Sequence, residues 1–290
     1  MFRLREPIPR PVYLLLAAAG VIVLLLAYTG VSLQRKAENP EDKTIPSWSQ
    51  LADGVRFSFT PDKRTGEIRI WEDGKATFGR LAAGLGIGIA LGVVLGIAMG
   101  CYAAVQAVVH FPISFLSRIP PPAIFTILFV VLDFDIAGWM PKWLASVIGR
   151  DVLGNLDFFV ASIGIGVVSI LAQTVFGAVR EDVPAELVHK AQTMGASQPE
   201  IVWDVIVPTV LPRVIDAARL QIGPAMVFLI AAEYVNADVG IGYQLRFQIR
   251  PLNVNVMIVY AVVLGLVGFA LDFVVRKLRG LVAPWYGVKS

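Results

Sequence analysis

The chain has 290 residues, 56% of them hydrophobic and 16% charged, with a net charge of +3 and a mean hydropathy of +0.69. Soluble domains carry about 25% charged residues, and a water-soluble fold cannot hide this much apolar surface; disorder needs the opposite balance and is excluded with it. A single cysteine, Cys101, excludes a disulfide framework and a cysteine-rich zinc site, and two histidines, His110 and His189, leave little for a histidine metal centre. No metal site is expected, and the small, dispersed net charge excludes a nucleic-acid binder. The chain reads as an all-α polytopic membrane protein.

A helix crosses the hydrocarbon core of a bilayer with about 20 apolar residues. The first such run is residues 12–31, preceded by Arg3, Arg5 and Arg10. It is longer than the apolar part of a secretory signal and no small-residue cleavage site follows it, so it reads as an uncleaved anchor. The second run, residues 78–100, places Gly88, Gly92, Gly96 and Gly100 four apart on one helix face. Such a face lets another helix approach closely in lipid. The glycines of 84–88 do not follow a strand, so they do not form a phosphate loop.

The third run, residues 111–132, is interrupted by Pro120, Pro121 and Pro122, tolerable in a span only where protein or water surrounds the backbone. Residues 158–179 form the fourth. The fifth is 217–232, extending through Glu233 to Val235, and the sixth is 256–275. Six spans put both termini on one side. The basic residues at the N-terminus, in the 180–216 loop and after span six favour the cytoplasmic side for these parts. Residues 32–77, with eight Lys/Arg and eight Asp/Glu, then face outward.

Residues 32–77 are the one stretch of soluble composition. The alternation in Phe57-Ser58-Phe59-Thr60 and Glu67-Ile68-Arg69-Ile70-Trp71, around a turn-rich 61–66, predicts a small hairpin. Alone it would be marginal, so it rests on the membrane core or on a partner, or serves as a spacer.

The loop 180–213 carries more information. Asp182 is read as an N-cap, Pro184 lies in the first turn and Gly195 stops the helix; Leu187, Ala191 and Met194 are read as one face. Ser197 and Glu200 form a capping box for a second helix with Ile201, Val202, Val205 and Ile206 as its apolar side, before Pro208 and Pro212 interrupt the chain. Two short helices bent at a glycine suit a groove on a partner; the other reading is a loop covering the ends of the spans.

Ala191-Gln192-Thr193-Met194-Gly195-Ala196-Ser197, followed by 205–208 and Leu211-Pro212, resembles the inner-loop motif of bacterial ABC importer permeases. Ala191, Gly195 and Pro208 fall at the motif's spacing. The motif's leading Glu-Ala is His189-Lys190 here, so no glutamate role is carried over. The segment 118–123 and Ala231-Ala232-Glu233 followed by Gly240-Ile241-Gly242-Tyr243 are similar to nitrate/sulfonate/taurine-type permeases, and the similarity runs from about residue 71 to 276. A narrower resemblance, in 37–40, Asp42-Lys43 and 61–66, is to permeases of urea-carboxylase-associated, guanidine- or urea-related uptake systems.

The resemblance implies a type I importer permease of the bacterial inner membrane, present as a homodimer or heterodimer. It implies two cytoplasmic ATP-binding subunits, so that ATP is bound by the partner and the chain itself carries no cofactor and no catalytic residue. It also implies an extracytoplasmic solute-binding protein. The coupling loop would be carried by Ala191, Met194, Gly195, Ala196, Ser197, Glu200 and Pro208. The domain plan is then a tail and first span (1–31), an extracytoplasmic segment (32–77), a permease core (78–276) and a cytoplasmic tail (277–290).

Charges inside spans are costly and mark a pathway or a pair. Glu233 at the outer half of span five, with Asn236 and Asp238 beyond it, is read either as lining the translocation pathway or as a structural pair holding the helix end. Asp133 and Asp135 add to an acidic outer rim that would favour a cationic or neutral polar solute, with Arg246 and Arg250 opposing it. Asp272 and Arg276 are placed for an i,i+4 pair. Two other classes make different demands on the sequence. A stand-alone secondary transporter or channel would favour paired interrupted helices, and a membrane enzyme would need clustered acids or histidines in its spans.

Overall fold

The computed structural model describes residues 9–40, 42–61, 66–119, 123 and 158–283. Eleven α-helices are seen among them: α1 (Arg10–Glu38), α2 (Trp48–Phe59), α3 (Arg69–Cys101), α4 (Ala103–Leu116), α5 (Phe158–Asp182), α6 (Ala185–Thr193), α7 (Gln198–Glu200), α8 (Val207–Leu220), α9 (Ile222–Asn236), α10 (Ile241–Ile249) and α11 (Val254–Val282), with a π-helical turn at Ile201–Ile206 between α7 and α8. Five stretches are long and apolar enough to cross a bilayer: α1, α3, α5, the run Gln198–Asn236, and α11. These correspond to five of the six spans read from the sequence. The third falls mostly outside the described residues, with Pro120–Pro122, Asp133 and Asp135; α4 covers only its first residues, 111–116.

The chain divides into two compact units, Met1–Arg69 with Phe247–Ala261, and Ile70–Arg246 with Val262–Ser290. In the first, the predicted hairpin does not form. Residues 57–60 close α2 and Arg69 opens α3; the β feature among the described residues is one antiparallel bridge, Pro61 to Ile68. The helix prevails because Ser47 and Gln50 make a reciprocal capping box at its start: the Ser47 amide donates to Gln50 Oε1 at 2.9 Å, and the Gln50 amide to Ser47 Oγ at 3.4 Å. Apolar residues at 48, 51, 55 and 59 supply the helical period. A four-residue alternation cannot compete with both.

In the second unit α3 and α5 form a close-packed pair. The buried residues of α3, among them Thr77, Leu81, Gly84, Gly88, Gly92, Gly96 and Met99, make one continuous face. A Cβ added at Gly84, Gly88, Gly96 or Gly100 would lie 2.6–2.8 Å from the Cβ of Ile163, Val167, Val175 or Val179 respectively, and at Gly92 it would lie 3.1 Å from that of Leu171. Each branched residue of α5 therefore occupies the space a side chain on α3 would fill. In lipid, where burial of apolar area gives little drive, such dispersion contact is what holds helices together. Phe159, Ile163 and Val167 of α5 then continue into a core with Ala225, Phe228 and Leu229 of α9. A second core joins Leu171, Val175 and Val179 of α5 to Ile201, Ile206, Val210 and Val214.

Candidate functional site

The loop between α5 and α8 is built as two short helices and a turn. Asp182 does not cap α6: it ends α5, and Pro184 is the N-cap residue. Asp182 instead accepts from Arg213 at 2.7 Å, a partner 31 residues on that a local reading cannot find. Gly195, at φ +87°, ends the first helix in the left-handed conformation that favours glycine. At Ser197 the capping box is present: the Ser197 amide and hydroxyl donate to Glu200 Oε2 at 2.7 and 2.8 Å. These bonds, the backbone one foremost, hold the Glu200 carboxyl below its ordinary range.

Pro208 and Pro212 do not interrupt the chain. The π turn ends with the Val207 amide donating to Val202 O, five residues back, and α8 starts there with Pro208 in its first turn. Shifting the register just before Pro208 places its missing N–H where a helix start tolerates it. The stretch from Gln198 to Asn236 thus runs on through α8 and α9, with Gln221 as the single turn residue between them.

The apolar face read for α6 is split. Ala191 turns inward, as do Val188 and Ala196, to the core that contains Ile201 and Ile206. Leu187 and Met194 face outward; Met194 is 87% exposed and Trp203 69%. Behind the loop lies a cavity of about 250 Å³ lined by Gly100, Cys101, Tyr102, Val179, Val188 and Ile201 among others. Three sets of ion pairs tie α8 to its neighbours. Arg213 reaches Glu181 and Asp182 of α5 at 3.0 and 2.7 Å. Arg279 of α11 reaches Asp216 at 2.6 Å, and Arg219 lies 3.0 Å from Asp272, which also takes the expected Arg276 partner at 2.6 Å.

At the far end of α9, Glu233 is fully buried. Its carboxylate receives Thr77 Oγ1 at 2.9 Å, Arg80 NH1 at 2.9 Å and the Gly242 amide at 2.9 Å. Thr77 Oγ1 accepts from the Ile241 amide at 2.8 Å, and Asp73 Oδ1 accepts from the Gly240 amide at 3.0 Å. The amides of 240–242 at the N-terminus of α10 thus point at two acids and a hydroxyl, an arrangement that favours negative charge. Gly240, at φ +135°, and Gly242 are both required: a Cβ on either would come within 2.6 Å of Glu233 atoms. Arg80 also donates to Val239 O at 2.9 Å and lies over the Phe159 ring at 4.2 Å.

Of the two readings of Glu233, the contacts among the described residues are those of the paired one: Thr77, Arg80 and the Gly242 amide all converge on the carboxylate. Asn236, at the end of α9, is exposed and takes no part in the cluster. Arg246 caps the same helix end, donating to Val235 O and Ala237 O at 2.6 and 2.8 Å. The residues that sequence inspection passes over are Asp73, Thr77 and above all Arg80. An arginine within the apolar run 78–100 was the available signal, because an intramembrane cation needs a partner.

Residues 88–285 match the family described as the binding-protein-dependent transport system inner membrane component. The chain belongs to that family. Among relatives, the taurine transport system permease protein of Escherichia coli is 30% identical over 100 residues, 34% of this chain and 36% of that protein. A nitrate import permease protein of Synechocystis is 24% identical over 146 residues, 50% of this chain and 51% of that one. The chain thus spans between about a third and a half of the length of these two relatives. A chain of the MetNI methionine ABC transporter in an inward-facing conformation superposes with a TM-score of 0.52 at 22% identity, over 82% of this chain and 99% of the other. The fold is that of an ABC importer permease, and the chain is a membrane permease of this family with several apolar helices.

Proposed function

We propose that the chain is the membrane-spanning subunit of an ATP-driven importer in a bacterial inner membrane. It works as a homodimer or heterodimer with two cytoplasmic ATP-binding subunits and receives its solute from an extracytoplasmic binding protein. ATP is bound and hydrolysed on the partner; this chain contributes the conduit and the lever. The observation that carries the reading is the loop from α6 to the π turn, which presents Met194 and Trp203 to its surroundings on a scaffold whose other face is packed. Large exposed apolar side chains on an ordered loop mark a protein interface.

The lever would be the α8–α9 rod. Its loop end is tied through Arg213, Asp216 and Arg219 to α5 and α11, and its other end carries Glu233. Movement of the loop by a partner is therefore passed along one helical path to the 240–242 turn. Glu233 acts as the anchor of that turn, not as a solute ligand.

The relatives whose names state a solute are taurine, nitrate and bicarbonate permeases. They favour a small oxyanion-bearing solute and lend no support to the guanidine or urea resemblance. The acidic-rim argument for a cation weakens as well, because Glu233 is paired with Arg80.

Gly195→Val tests the assignment. No atom crowds a Cβ at that position, so the change acts through the backbone at φ +87°, at a cost of about 1–2 kcal/mol. Expected is a chain that still inserts and co-purifies with its ATPase but no longer couples hydrolysis to uptake. Full coupled uptake by the variant would overturn the coupling role of the loop.

A further inference from the structure

We propose that α2 lies in the membrane interface, with Trp48, Ala52, Val55 and Phe59 resting on lipid. The proposal goes beyond the transport reading and rests on it only in taking α1 and α11 as membrane spans.

Both parts of α2 are pinned to the ends of spans. At its start, the Trp48 indole N–H donates to Thr29 Oγ1 at 3.1 Å and its ring meets Tyr28 edge-on at 5.5 Å between centroids. Tyr28 OH and Ser32 Oγ donate to Pro46 O, just before the helix, at 2.6 and 3.3 Å. Thr29 lies two residues short of the end of the uncharged run 12–31 in α1, about 3 Å of helix rise. One turn and a half further along α2, Gly54 lies against the backbone of Asn255 and Val256; a Cβ there would be 2.8 Å from the Asn255 carbonyl. Asn255 Nδ2 donates to Gln50 O at 3.0 Å. Val256 is the first residue of the apolar run of α11. The helix therefore bridges the ends of two apolar runs, at the level where each leaves the hydrocarbon.

The three sides of α2 suit that position. At about 100° per residue, Gly54 and Ser58 fall on the side buried against protein, and Ser49, Asp53 and Arg56 fall on an exposed polar side. Trp48, Ala52, Val55 and Phe59 share the remaining side and are all exposed, Trp48 by 50%, Val55 by 43% and Phe59 by 56%. That side begins where Trp48 meets Tyr28 of α1, whose apolar stretch has no buried residue among the described residues and, as a span, faces lipid. An apolar helix face continuous with a lipid-facing span, headed by a tyrosine–tryptophan pair, has the chemistry of the headgroup–acyl boundary.

The test uses the full chain in phosphatidylcholine–phosphatidylglycerol liposomes. Cys101→Ser provides the background and a spin label is placed at Val55→Cys, Phe59→Cys, Asp53→Cys or, as a span control, Leu24→Cys. Labels at 55 and 59 should collide severalfold more with oxygen than with a water-soluble nickel chelate, and the label at 53 should show the reverse. Nickel access at 55 and 59 would overturn the proposal, and so would shielding from both reagents, which would mean a protein neighbour. Nickel access at 24 would instead sink the span assignment of α1. If the labelled variants fail to fold, quenching by lipids brominated near the headgroup gives the same answer, read as wild type minus Trp48→Phe. Strong quenching of the difference signal supports the seat on lipid, and none overturns it.

Discussion

The two ends of the α8–α9 rod are held by different physics. Around Glu233 the charge is enclosed: the carboxylate has no exposure and the side chain of its partner Arg80 only 19%. Around α8 no carboxylate is enclosed: Asp216 and Asp272 are each 33% exposed, and the pair nearest the loop is the most open, with Arg213 39% and Glu181 67% exposed. A buried pair is fixed because neither partner has water to return to; an exposed pair can break and re-form at little cost. The difference fits a rod that is anchored at one end and adjustable at the other, near the exposed loop.

The comparison breaks if the ends respond alike to loss of one partner. Arg80→Ala leaves Glu233 buried and uncompensated, and should cost about 3–5 kcal/mol, read as thermal unfolding in detergent. Arg80→Met with Glu233→Leu should recover much of that loss. Next in size is the glycine seam that holds α3, which carries Arg80, against α5. Gly96→Val pushes into Val175 and the Ala172 carbonyl, and overpacking of this kind costs about 1–3 kcal/mol or more. Gly86→Val, with open space around it, should leave stability nearly unchanged. At the open end Arg213→Ala should cost about 1 kcal/mol or less, and that small loss should shrink further in high salt.

The smallest effect sharpens the picture of the loop. Glu200 is held below its ordinary carboxyl range by Ser197, so its contribution is complete above the unfolded value, about 4.3, and is lost as pH falls through the lower folded one. Hydrogen exchange at Ser197 should therefore lose protection in acid beyond the intrinsic pH trend. Glu200→Gln should lose that extra pH dependence.

The sequence made one class of feature legible and hid another. Spans follow from apolar runs, and the Gly88–Gly100 face follows from a four-residue period, because both are local. The Gly195 stop and the Ser197–Glu200 box were readable for the same reason. What was missed depended on distant partners: Asp182 looked like a cap and is bound to Arg213, while Arg80 meets Glu233 across 153 residues. Pro208 and Pro212 looked like breaks because a π turn, which absorbs the first of them, has no simple sequence mark. The hairpin reading of 57–71 failed by weighing a short alternation above the Ser47–Gln50 box that starts α2.

The most direct test of the central claim is solute uptake into liposomes bearing the chain. Taurine, nitrate and bicarbonate would be tried in turn with the cognate binding protein, with or without the partner ATPase and ATP. Expected is uptake of one of them that requires both the ATPase and ATP and survives collapse of proton and sodium gradients. Uptake by the chain alone, driven by an ion gradient and indifferent to ATP, would contradict the permease assignment and favour a stand-alone transporter.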